Sequence, residues 1–501
     1  MKKAKAIIDK NFVISKVDEK VFSSFVEPLG RCVYGGLYEP NHVTADEEGF
    51  RQDVMEYVKP LNLTMNRFPG GNFTSSYRWE DGIGPKEKRP RRPEPAWQCI
   101  ETNQFGLDEF AKWSKKNGSD VMMTVNLATR GVLEAMDCVE YCNFEGGTYW
   151  SEKRKEHGFA EPLNYKYWCL SNEIDGIWQV GQKPPREYGL LAKEAAKAMK
   201  LLDDEIKTVL AGSSSPGQET FPEYDMKALS EAYDFVDYIS VHHYIGNASN
   251  DSENYLAKPI VTNKYFEDVA AVIKYVKRKN KSNHDVYISF DEFNTWHSIA
   301  REERFENKWR IAPPLLEDVY TAEDALALGG MLLAILRHSD VVKIACISEL
   351  VNCISHLRTR NDGGCWALPP YYAYLQYCQY GRGYALETVV ESDTYDCKDF
   401  SDVPYLDSQA VLTENGCINI FAINRSLEEE LDFDMELRGF GKFKVEKHMV
   451  LTAGDPKATN TEENPLQVIP HEHGNAVYNH GFVKAKLDKM SWNVICLVPE
   501  E

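Results

Sequence analysis

The fold is decided by the stretch WCLSNEIDG, residues 168–176, which begins as an apolar run and ends in an amide and an acid, Asn172 and Glu173. A buried parallel strand has this pattern, because polar side chains are tolerated only where the strand leaves the core at its carboxyl end. In a barrel of strands and helices, that end carries the chemistry. The stretch VYISFDEFN, residues 286–294, repeats the pattern with Glu292. Two carboxylates delivered by two strands indicate acid/base chemistry.

Short apolar runs alternate with amphipathic segments from residue 20 to residue 384, which is the pattern of repeated βα units around a parallel sheet. Apolar residues spaced by three and four, as at Tyr188, Leu191 and Ala195, give each helix one apolar face. The predicted strands are residues 21–27, 61–68, 120–128, 165–173, 208–214, 235–244, 285–294 and 341–350. Eight such units predict an α/β fold, the (β/α)8 TIM barrel, with Glu173 on the fourth strand and Glu292 on the seventh.

The pattern changes after the eighth unit. From about residue 385, short segments of alternating polarity are separated by turns, as in LDFDMEL at residues 431–437. This predicts a C-terminal all-β sandwich, jelly-roll-like, with one face of each sheet on a core. The opening KAKAIIDKNFVISKV also predicts strands that precede the barrel and join this domain. We expect N-terminal strands in residues 1–19, a catalytic barrel in residues 20–384 and the sandwich in residues 385–501.

Composition and charge restrict the partners of this chain. With 501 residues, 43% of them hydrophobic and 12% aromatic, the chain can bury a large core. The formal net charge of -20 disfavours nucleic acid and anionic membranes, which need a basic face, and suits an uncharged substrate. The basic start has no apolar h-region, and no run of eighteen apolar residues occurs. We expect a soluble, unexported protein that binds neither nucleic acid nor membrane.

The twelve cysteines indicate a reducing compartment. They are scattered, and several lie in apolar strand-like runs, where a reduced thiol packs as a small hydrophobe. Cys138 and Cys142 could share a helix face, but no second Cys/His pair at zinc-ligand spacing follows nearby. We therefore expect a cytoplasmic protein without a metal site or a cofactor.

Polar side chains end most of the predicted barrel strands. Each could have a purely structural role, such as a salt-bridged core arginine or a satisfied buried histidine. Together they favour function, because the carboxyl ends of all eight strands meet at one mouth. These residues are Glu27, Arg67, Asn72, Asn172, Glu173, His242, His243, Tyr244, Glu292 and Glu349.

Glu173 and Glu292 have the residue type that glycosidic bond cleavage needs. That reaction uses one carboxylic acid to protonate the leaving oxygen and one carboxylate on the other side of the sugar carbon. If the two carboxyls stand about 5 to 5.5 Å apart, the second attacks directly and configuration is retained. We expect Asn172 to bind a sugar hydroxyl and Tyr244 to hold the nucleophile by a hydrogen bond.

The chain resembles the family 51 α-L-arabinofuranosidases. The resemblance rests on six segments in order, FVEPLGRCVYGG, NRFPGGNF, YRWEDGIGP, WCLSNEIDG, SVHHYIGN and SFDEFNTW, and it extends through the sandwich to KMSWNV. It implies a retaining exo-glycosidase that acts on arabinose-containing oligosaccharides and forms a homo-oligomer, often a hexamer.

The resemblance also implies roles for individual residues. Glu173 corresponds to the acid/base and Glu292 to the nucleophile. The residues that match positions holding the furanose or the nucleophile, or the aromatic walls of the pocket, are Glu27, Arg67, Asn72, Asn172, Tyr244, Trp97 and Trp296.

Three residues depart from the family pattern. Pro28 stands where the family has histidine, and proline stiffens that turn. Phe293 replaces a tryptophan in the nucleophile motif, so an indole N–H is missing. Glu349 stands where we expect glutamine, among the substrate-binding residues. A third acid there would raise the pKa of a neighbour or be held protonated itself.

The loop after the second strand, residues 77–103, is dense in tryptophan, arginine, proline and glycine. Its segment GIGPKEKRPRRPEPAW predicts irregular structure. It could be a solvated basic loop, but we favour a wall of the active-site mouth, because loops after barrel strands gather at the catalytic face.

Two other functions remain open from the sequence. One keeps the fold and mechanism but acts on a β-1,4-glucan or xylan, which an open groove would favour over a closed pocket. The other is an inactive sugar-binding protein, which the presence of both Glu173 and Glu292 argues against, because a binder needs neither acid.

Overall fold

The computed structural model describes residues 2–298 and 308–500. Its centre is a closed barrel of eight parallel strands, in which each strand pairs with its neighbour along the chain and β2 closes the barrel against β11. The barrel strands are β2 (Ser23–Phe25), β3 (Met65–Phe68), β6 (Asp120–Val125), β7 (Tyr167–Leu170), β8 (Lys207–Ala211), β9 (Tyr238–Ile245), β10 (Tyr287–Thr295) and β11 (Val342–Ile347). The prediction of a (β/α)8 barrel is confirmed, and Glu173 follows its fourth strand.

At least one helix follows each barrel strand, as a right-handed βα barrel requires. Most of them bury a mainly apolar face and expose charged residues, although the buried residues of the helix Tyr149–Glu156 are Ser151 and Arg154. The helices are α1 (Gln52–Val58), α2 (Leu107–Asn117), α3 (Val132–Asn143), α4 (Tyr149–Glu156), α5 (Pro185–Leu202), α6 (Glu223–Ala232), α7 (Ser252–Ala257), α8 (Pro259–Asn280), α9 (Ala322–Arg337) and α10 (Pro369–Tyr380).

The second unit is a β-sandwich, as predicted. Its nine-stranded sheet has the order β20-β23-β18-β17-β14-β1-β19-β22-β21, and side chains from eight of these strands meet in one apolar core. The strands are β1 (Lys2–Lys16), β14 (Tyr384–Ser392), β17 (Leu406–Leu412), β18 (Ile418–Asn424), β19 (Leu431–Arg438), β20 (Phe443–Thr452), β21 (Val477–Asn479), β22 (Phe482–Leu487) and β23 (Ser491–Pro499).

The N-terminal strand β1 lies inside this sheet. It pairs antiparallel with β14 and parallel with β19, for example through Ala6, which is in register with Val390 and with Met435. Ala4, Ala6 and Ile8 point into the sandwich core, while Lys3 and Lys5 face outward. The first strand of the chain therefore completes the last domain.

Helix α9 is the seam between barrel and sandwich. All but one of its residues are buried, because the barrel helices α7, α8 and α10 and strand β10 cover it on one side and sandwich strands on the other. At Gly329 an added Cβ would lie 2.7 Å from the ring of Trp492 in β23, so glycine allows the close approach of helix and sheet. The Trp492 indole N–H donates to Gln376 of α10 at 2.8 Å.

Three short ribbons lie outside the two main sheets. They are β4 (Arg92–Glu94) with β5 (Cys99–Glu101), β12 (Leu357–Thr359) with β13 (Cys365–Ala367), and β15 (Thr394–Tyr395) with β16 (Val403–Pro404). The first ribbon lies in the loop for which we predicted irregular structure. That prediction is wrong at β4, where Glu94 accepts hydrogen bonds from the backbone of Ala96 and Trp97 and so closes the turn.

All twelve cysteines lie in the described part of the chain, and none of them forms a disulfide there. Within residues 2–298 and 308–500, no helix combines the length and apolarity needed to cross a lipid bilayer.

Candidate active site

Glu173 and Glu292 come together at the carboxyl end of the barrel. Glu173 follows β7, and Glu292 lies within β10 in register with His242 of β9. One carboxylate oxygen of each glutamate and a ring nitrogen of His242 all lie within 4.8 Å of one another. Both glutamates are buried, with 9% and 6% exposure. The two carboxyl groups are therefore largely shielded from solvent.

Glu292 is fixed by hydrogen bonds from two strands. Arg67 of β3 donates to Oε1 at 2.8 Å, and the Tyr244 hydroxyl lies 3.1 Å from Oε2. Ser348 Oγ lies 2.7 Å from the same hydroxyl and can donate to it, which leaves the tyrosine proton for Glu292. An arginine and a hydroxyl that both donate to this carboxylate fix its orientation.

Arg67 also connects Glu292 with the amide groups of the cleft. Its second terminal nitrogen donates to Asn172 Oδ1 at 2.6 Å, and Asn172 Nδ2 donates to Asn72 Oδ1 at 3.2 Å. Arg67 is fully buried, and its guanidinium stands above the ring of Phe25 at 4.8 Å from the centroid. The two asparagines are therefore held in fixed orientations.

Glu173 has a different environment. Its Oε2 accepts a hydrogen bond from the indole N–H of Trp178 at 2.9 Å, and its Oε1 lies 3.0 Å from His242 Nδ1. The backbone at Glu173 is left-handed, with φ 42°, which is uncommon for a side chain of this size and is often found at functional sites. At Gly176 a Cβ would lie 2.5 Å from the Trp178 ring, so glycine lets the indole fold back over the acid.

His242 lies between three carboxyl groups. Besides Glu173, Glu292 Oε2 is 3.4 Å from Nδ1, and Asp291 Oδ1 is 3.2 Å from Nε2. Burial alone would lower the pKa of His242, but Glu292, Asp291 and Glu173 outweigh burial and raise it to about 10. An imidazolium has no lone pair for a metal ion, so the hydrogen-bonded form competes with any use of these residues as metal ligands.

Glu27, Trp97 and Glu349 form a second hydrogen-bonded group of the site. Glu27 Oε1 accepts from the backbone N–H of Phe73 and from the Trp97 indole, each at 2.7 Å, and Glu349 Oε2 accepts from the backbone N–H of Glu27 at 3.1 Å. Burial and the nearby Glu292 raise the pKa of Glu27 to about 8. Burial and the nearby Glu27 raise the pKa of Glu349 well above its ordinary value. A third acid at this position was expected either to raise the pKa of a neighbour or to be held protonated itself. The raised pKa of Glu349 corresponds to the second outcome.

The residues predicted to act in catalysis or substrate binding form one cluster, in which His242 links Glu173 to the others; they are Glu27, Arg67, Asn72, Trp97, Asn172, Glu173, Tyr244, Glu292, Trp296 and Glu349. Trp296 meets Tyr244 edge to face, with ring centroids 5.5 Å apart, and the remaining links are the hydrogen bonds and charge interactions given above. Their roles as substrate-binding groups stay predictions. His243, which was predicted at the same mouth, instead faces Thr262 of α8.

Sequence reasoning missed Trp178 and Asp291 and gave no role to His242 or Ser348. The pairing of β10 with both neighbours shifts between residues 289 and 293, so the consecutive acids Asp291 and Glu292 both face the site. The sequence has no signal for such an irregularity.

Two of the departures lie outside the carboxylate cluster. Phe293 stacks on Phe290 at 4.7 Å, and Phe290 packs against Phe266 of α8, so this side of β10 faces the helices. Pro28 is buried in a tight turn, in which the Leu29 N–H donates to the Glu27 carbonyl at 2.7 Å. The fixed φ of proline suits this turn.

A TIM barrel with two carboxylates at the ends of its fourth and seventh strands has the architecture of a glycoside hydrolase. Residues 57–258 match the family model of the alpha-L-arabinofuranosidase 1 domain, and residues 291–491 match that of the alpha-L-arabinofuranosidase C-terminal domain. The chain belongs to the family 51 α-L-arabinofuranosidases and is a glycoside hydrolase.

Several relatives match over the whole chain. An intracellular exo-α-(1→5)-L-arabinofuranosidase from Halalkalibacterium halodurans is 46% identical over 99% of both chains, and one from Bacillus subtilis is 45% identical over 99% of both. The solved structure of a family 51 α-L-arabinofuranosidase from Bifidobacterium longum matches with a TM-score of 0.94 and 36% identity, over 99% of this chain and 100% of that one.

Proposed function

We propose that this enzyme removes terminal α-L-arabinofuranosyl residues from arabinose-containing oligosaccharides by a retaining double displacement, with Glu292 as the nucleophile and Glu173 as the acid/base. The observation that carries the proposal is the approach of the two carboxylates, with oxygens within 4.8 Å. Inverting enzymes need about 6.5–9.5 Å between the two carboxyls to admit a water, whereas retaining enzymes need about 5–5.5 Å.

In the first step a Glu292 oxygen bonds to the anomeric carbon while the bond to the leaving oxygen breaks. Glu173 gives its proton to that oxygen, so the departing sugar leaves as an alcohol. Arg67 and Tyr244 suit the role of Glu292, because their hydrogen bonds keep it ionised and oriented until it attacks.

In the second step Glu173, now a carboxylate, takes a proton from a water molecule. The water oxygen bonds to the anomeric carbon, the bond to Glu292 breaks, and arabinose leaves with its original configuration. The Trp178 and His242 contacts suit this role, because both can donate to a carboxylate at Glu173.

The remaining predicted residues form the sugar pocket in this proposal. Asn72 and Asn172 offer amide groups fixed by Arg67, and Glu27 is anchored by Trp97 and the Phe73 backbone. Trp296 and Glu349 complete the predicted set. Polar groups already held in place bind a sugar with little loss of side-chain entropy.

The names of the relatives support a finer assignment. Five of them are described as intracellular exo-α-(1→5)-L-arabinofuranosidases, one of these from Bifidobacterium longum, and another Bifidobacterium longum relative is described as an exo-α-(1→6)-L-arabinofuranosidase. We infer an exo-acting, cytoplasmic enzyme with a preference for α-(1→5) linkages. A homo-oligomer, hexameric by family resemblance, is part of the proposal and can be checked by light scattering.

The substrate is tested with aryl glycosides and with disaccharides. We expect turnover of 4-nitrophenyl α-L-arabinofuranoside and little of the matching β-xyloside or β-glucoside, and faster cleavage of α-(1→5)- than of α-(1→6)-arabinobiose. Proton NMR of the first product formed should show the α anomer. A β-glycoside turned over faster than the furanoside, or an initial β anomer, contradicts the proposal.

The two roles are tested by substitution. Glu292→Ala should lower kcat by about 10⁴-fold or more on every substrate, because the covalent step is lost. Glu173→Ala should keep part of its activity on the nitrophenyl substrate, whose leaving group needs no proton, and azide should raise that activity and yield an arabinosyl azide. Glu292→Gln and Glu173→Gln are matched controls for shape. Azide rescue of the Glu292 variant with retention would reverse the assignment.

A further inference from the structure

We propose that His242, anchored by Asp291, is a positioning residue that holds the carboxyl group of Glu173 and shares the proton delivered to the leaving group. The inference deepens the proposed function and rests on its assignment of Glu173 as the acid/base.

The first step concerns Nε2 of His242, which faces into the barrel. It lies 3.2 Å from Asp291 Oδ1 and 3.1 Å from Ser240 Oγ. Ser240 donates its own hydrogen to Asp291 Oδ1 at 2.5 Å, so its oxygen faces Nε2 as an acceptor. Two acceptors require a hydrogen on Nε2. The inner nitrogen is therefore always protonated, and only Nδ1 is left to gain or lose a proton.

Asp291 is a suitable anchor because it is held as an ion. It is fully buried, and its Oδ2 accepts from Ser289 Oγ at 3.1 Å and lies 3.9 Å from Arg67 Nε. Burial alone would raise the pKa of Asp291, but Arg67 and His242 lower it below its usual value. A fixed negative charge behind the ring favours the imidazolium form.

Nδ1 faces the two catalytic carboxylates and is closer to one of them. It lies 3.0 Å from Glu173 Oε1 and 3.4 Å from Glu292 Oε2. Glu292 already accepts hydrogen bonds from Arg67 and Tyr244, whereas the cationic side chain in contact with Glu173 is His242. The ring therefore acts mainly on Glu173, and the pair exists either as carboxylate with imidazolium or as carboxylic acid with neutral imidazole.

The charged groups around the imidazole ring of His242 favour its protonated form. The titratable and charged groups that face His242 come from β3, the end of β7, β10 and its own strand, and they are Arg67, Glu173, Asp175, Asp291, Glu292 and Tyr244. Four of these groups are carboxyls, and their combined effect on the ring is larger than the repulsion from the positive charge of Arg67. The raised pKa of the ring, about 10, agrees with this balance.

The proton balance follows the two proposed steps. In the first, the proton shared by Glu173 and His242 moves through the Glu173 carboxyl to the leaving oxygen, and the negative charge of Glu292 disappears into the sugar ester. In the second, the proton from water returns to the Glu173–His242 pair as Glu292 becomes ionised again. No oxidant, metal or further acid is needed.

The test compares His242→Asn with His243→Asn. His243 is the adjacent buried histidine, but its Nδ1 faces Thr262 of α8 at 3.1 Å, so its variant is a control for burial and fold. We expect His242→Asn to lower kcat/KM on α-(1→5)-arabinobiose by about 10²-fold and on the nitrophenyl substrate by less than about 10-fold. The basic limb of its pH profile should move to lower pH by about one unit or more. The control should change neither.

A second variant keeps the test decisive if His242→Asn folds poorly. Asp291→Asn preserves shape and an acceptor for Nε2 but removes the charge, so the same limb should move in the same direction by a smaller amount. Equal losses on both substrates with an unchanged pH profile in either folded variant would refute the proposal. Failure of the proposed function is separate, because it would appear as the absence of any leaving-group difference in Glu173→Ala.

Discussion

Glu349 is the residue at which this chain departs most from the family pattern, and its surroundings define its charge. Its carboxyl group is buried, and it accepts a hydrogen bond from the backbone of Glu27, whose own carboxyl has a pKa of about 8. Two acids that share a buried corner disfavour each other's ionised forms. Both carboxyl groups therefore keep their protons at pH values where an exposed glutamate is ionised.

Replacing Glu349 by glutamine should stabilise the protein at neutral pH. The pKa of Glu349 is raised in the folded state, so the folded state binds the proton more tightly than the unfolded one. The contribution of the Glu349 carboxyl group to the free energy of unfolding is fully present below its pKa in the unfolded chain, about 4.3. That contribution is lost as pH rises toward the pKa in the folded protein. Glu349→Gln keeps an acceptor for the Glu27 N–H and removes this loss.

The measurement is thermal unfolding of wild type and variant between pH 4 and pH 8. The two should be nearly equal at pH 4, and the variant should gain roughly 1–2 kcal/mol by pH 8. Glu414→Gln changes an exposed acid whose pKa is lowered by its hydrogen bond from Lys16, so any pH trend it shows should have the opposite sign. A difference that is independent of pH would contradict the assigned charge of Glu349.

Among individual residues, the sequence predicts the two acids and the partners Arg67, Asn172 and Tyr244, but not every residue that contacts them. Glu173 and Glu292 were predictable because an apolar run that ends in a polar residue marks a strand end. Trp178 was not, because its indole reaches Glu173 through a turn that depends on Gly176 and on left-handed backbone at Glu173. Asp291 follows the alternation of an ordinary strand, which would direct it away from Glu292.

At the scale of elements, helix α9 shows why an apolar helix can carry glycine in its middle. Alanine has the higher helix propensity by about 1 kcal/mol, but at Gly329 it would press on Trp492, which the Gln376 hydrogen bond holds in place. The short distance between barrel and sandwich therefore requires glycine at this position.

Gly329→Ala should destabilise the protein by about 1–3 kcal/mol, because overpacking of a fixed ring exceeds the gain in helix propensity. Urea unfolding followed by tryptophan fluorescence measures this change. Gly441→Ala is a control, since a Cβ there has open space within 4 Å and the expected change is within about 0.5 kcal/mol. A stabilised Gly329 variant would show that helix and sheet can separate without cost.

The barrel strands were predictable as elements, whereas their exact lengths were not. All eight lie within one residue of the predicted ranges or inside them, because buried strands give continuous apolar runs. The ribbon of β4 and β5 escaped prediction, since its stability comes from Glu94 and from the Gln98 and Ile100 backbone, which pairs with Trp309 and Arg310. Long-range contacts of this kind leave no local pattern.

At the scale of the whole molecule, β1 ties the two ends of the chain together. It lies between β14 and β19, so removing it would leave both of these strands with an unpaired edge and take three side chains from the sandwich core. The sequence suggested that this strand joins the sandwich but not that β14 and β19 are its partners, because alternation shows that a strand exists but not which strands it pairs with.

A chain that begins at residue 17 should accumulate in insoluble form or unfold without a cooperative transition. A peptide of residues 2–16 added during refolding should restore soluble, active enzyme, which distinguishes loss of the strand from general damage. Lys5→Gln in the full chain is the control, because Lys5 is exposed and its change should stay within about 0.5 kcal/mol. A truncated chain with unchanged thermal stability would show that the sandwich closes without β1.

The position of β1 also orders events on the ribosome. The strand leaves the exit tunnel well before its antiparallel partner β14, which begins about 370 residues later; at 5–20 residues per second this is about 20–70 s of translation. During that interval the apolar residues of the nascent strand are exposed. The lysines of KKAKAIIDK disfavour its pairing with the same strand of another nascent chain on the same mRNA. The charged face of β1 is thus most useful before the protein is complete.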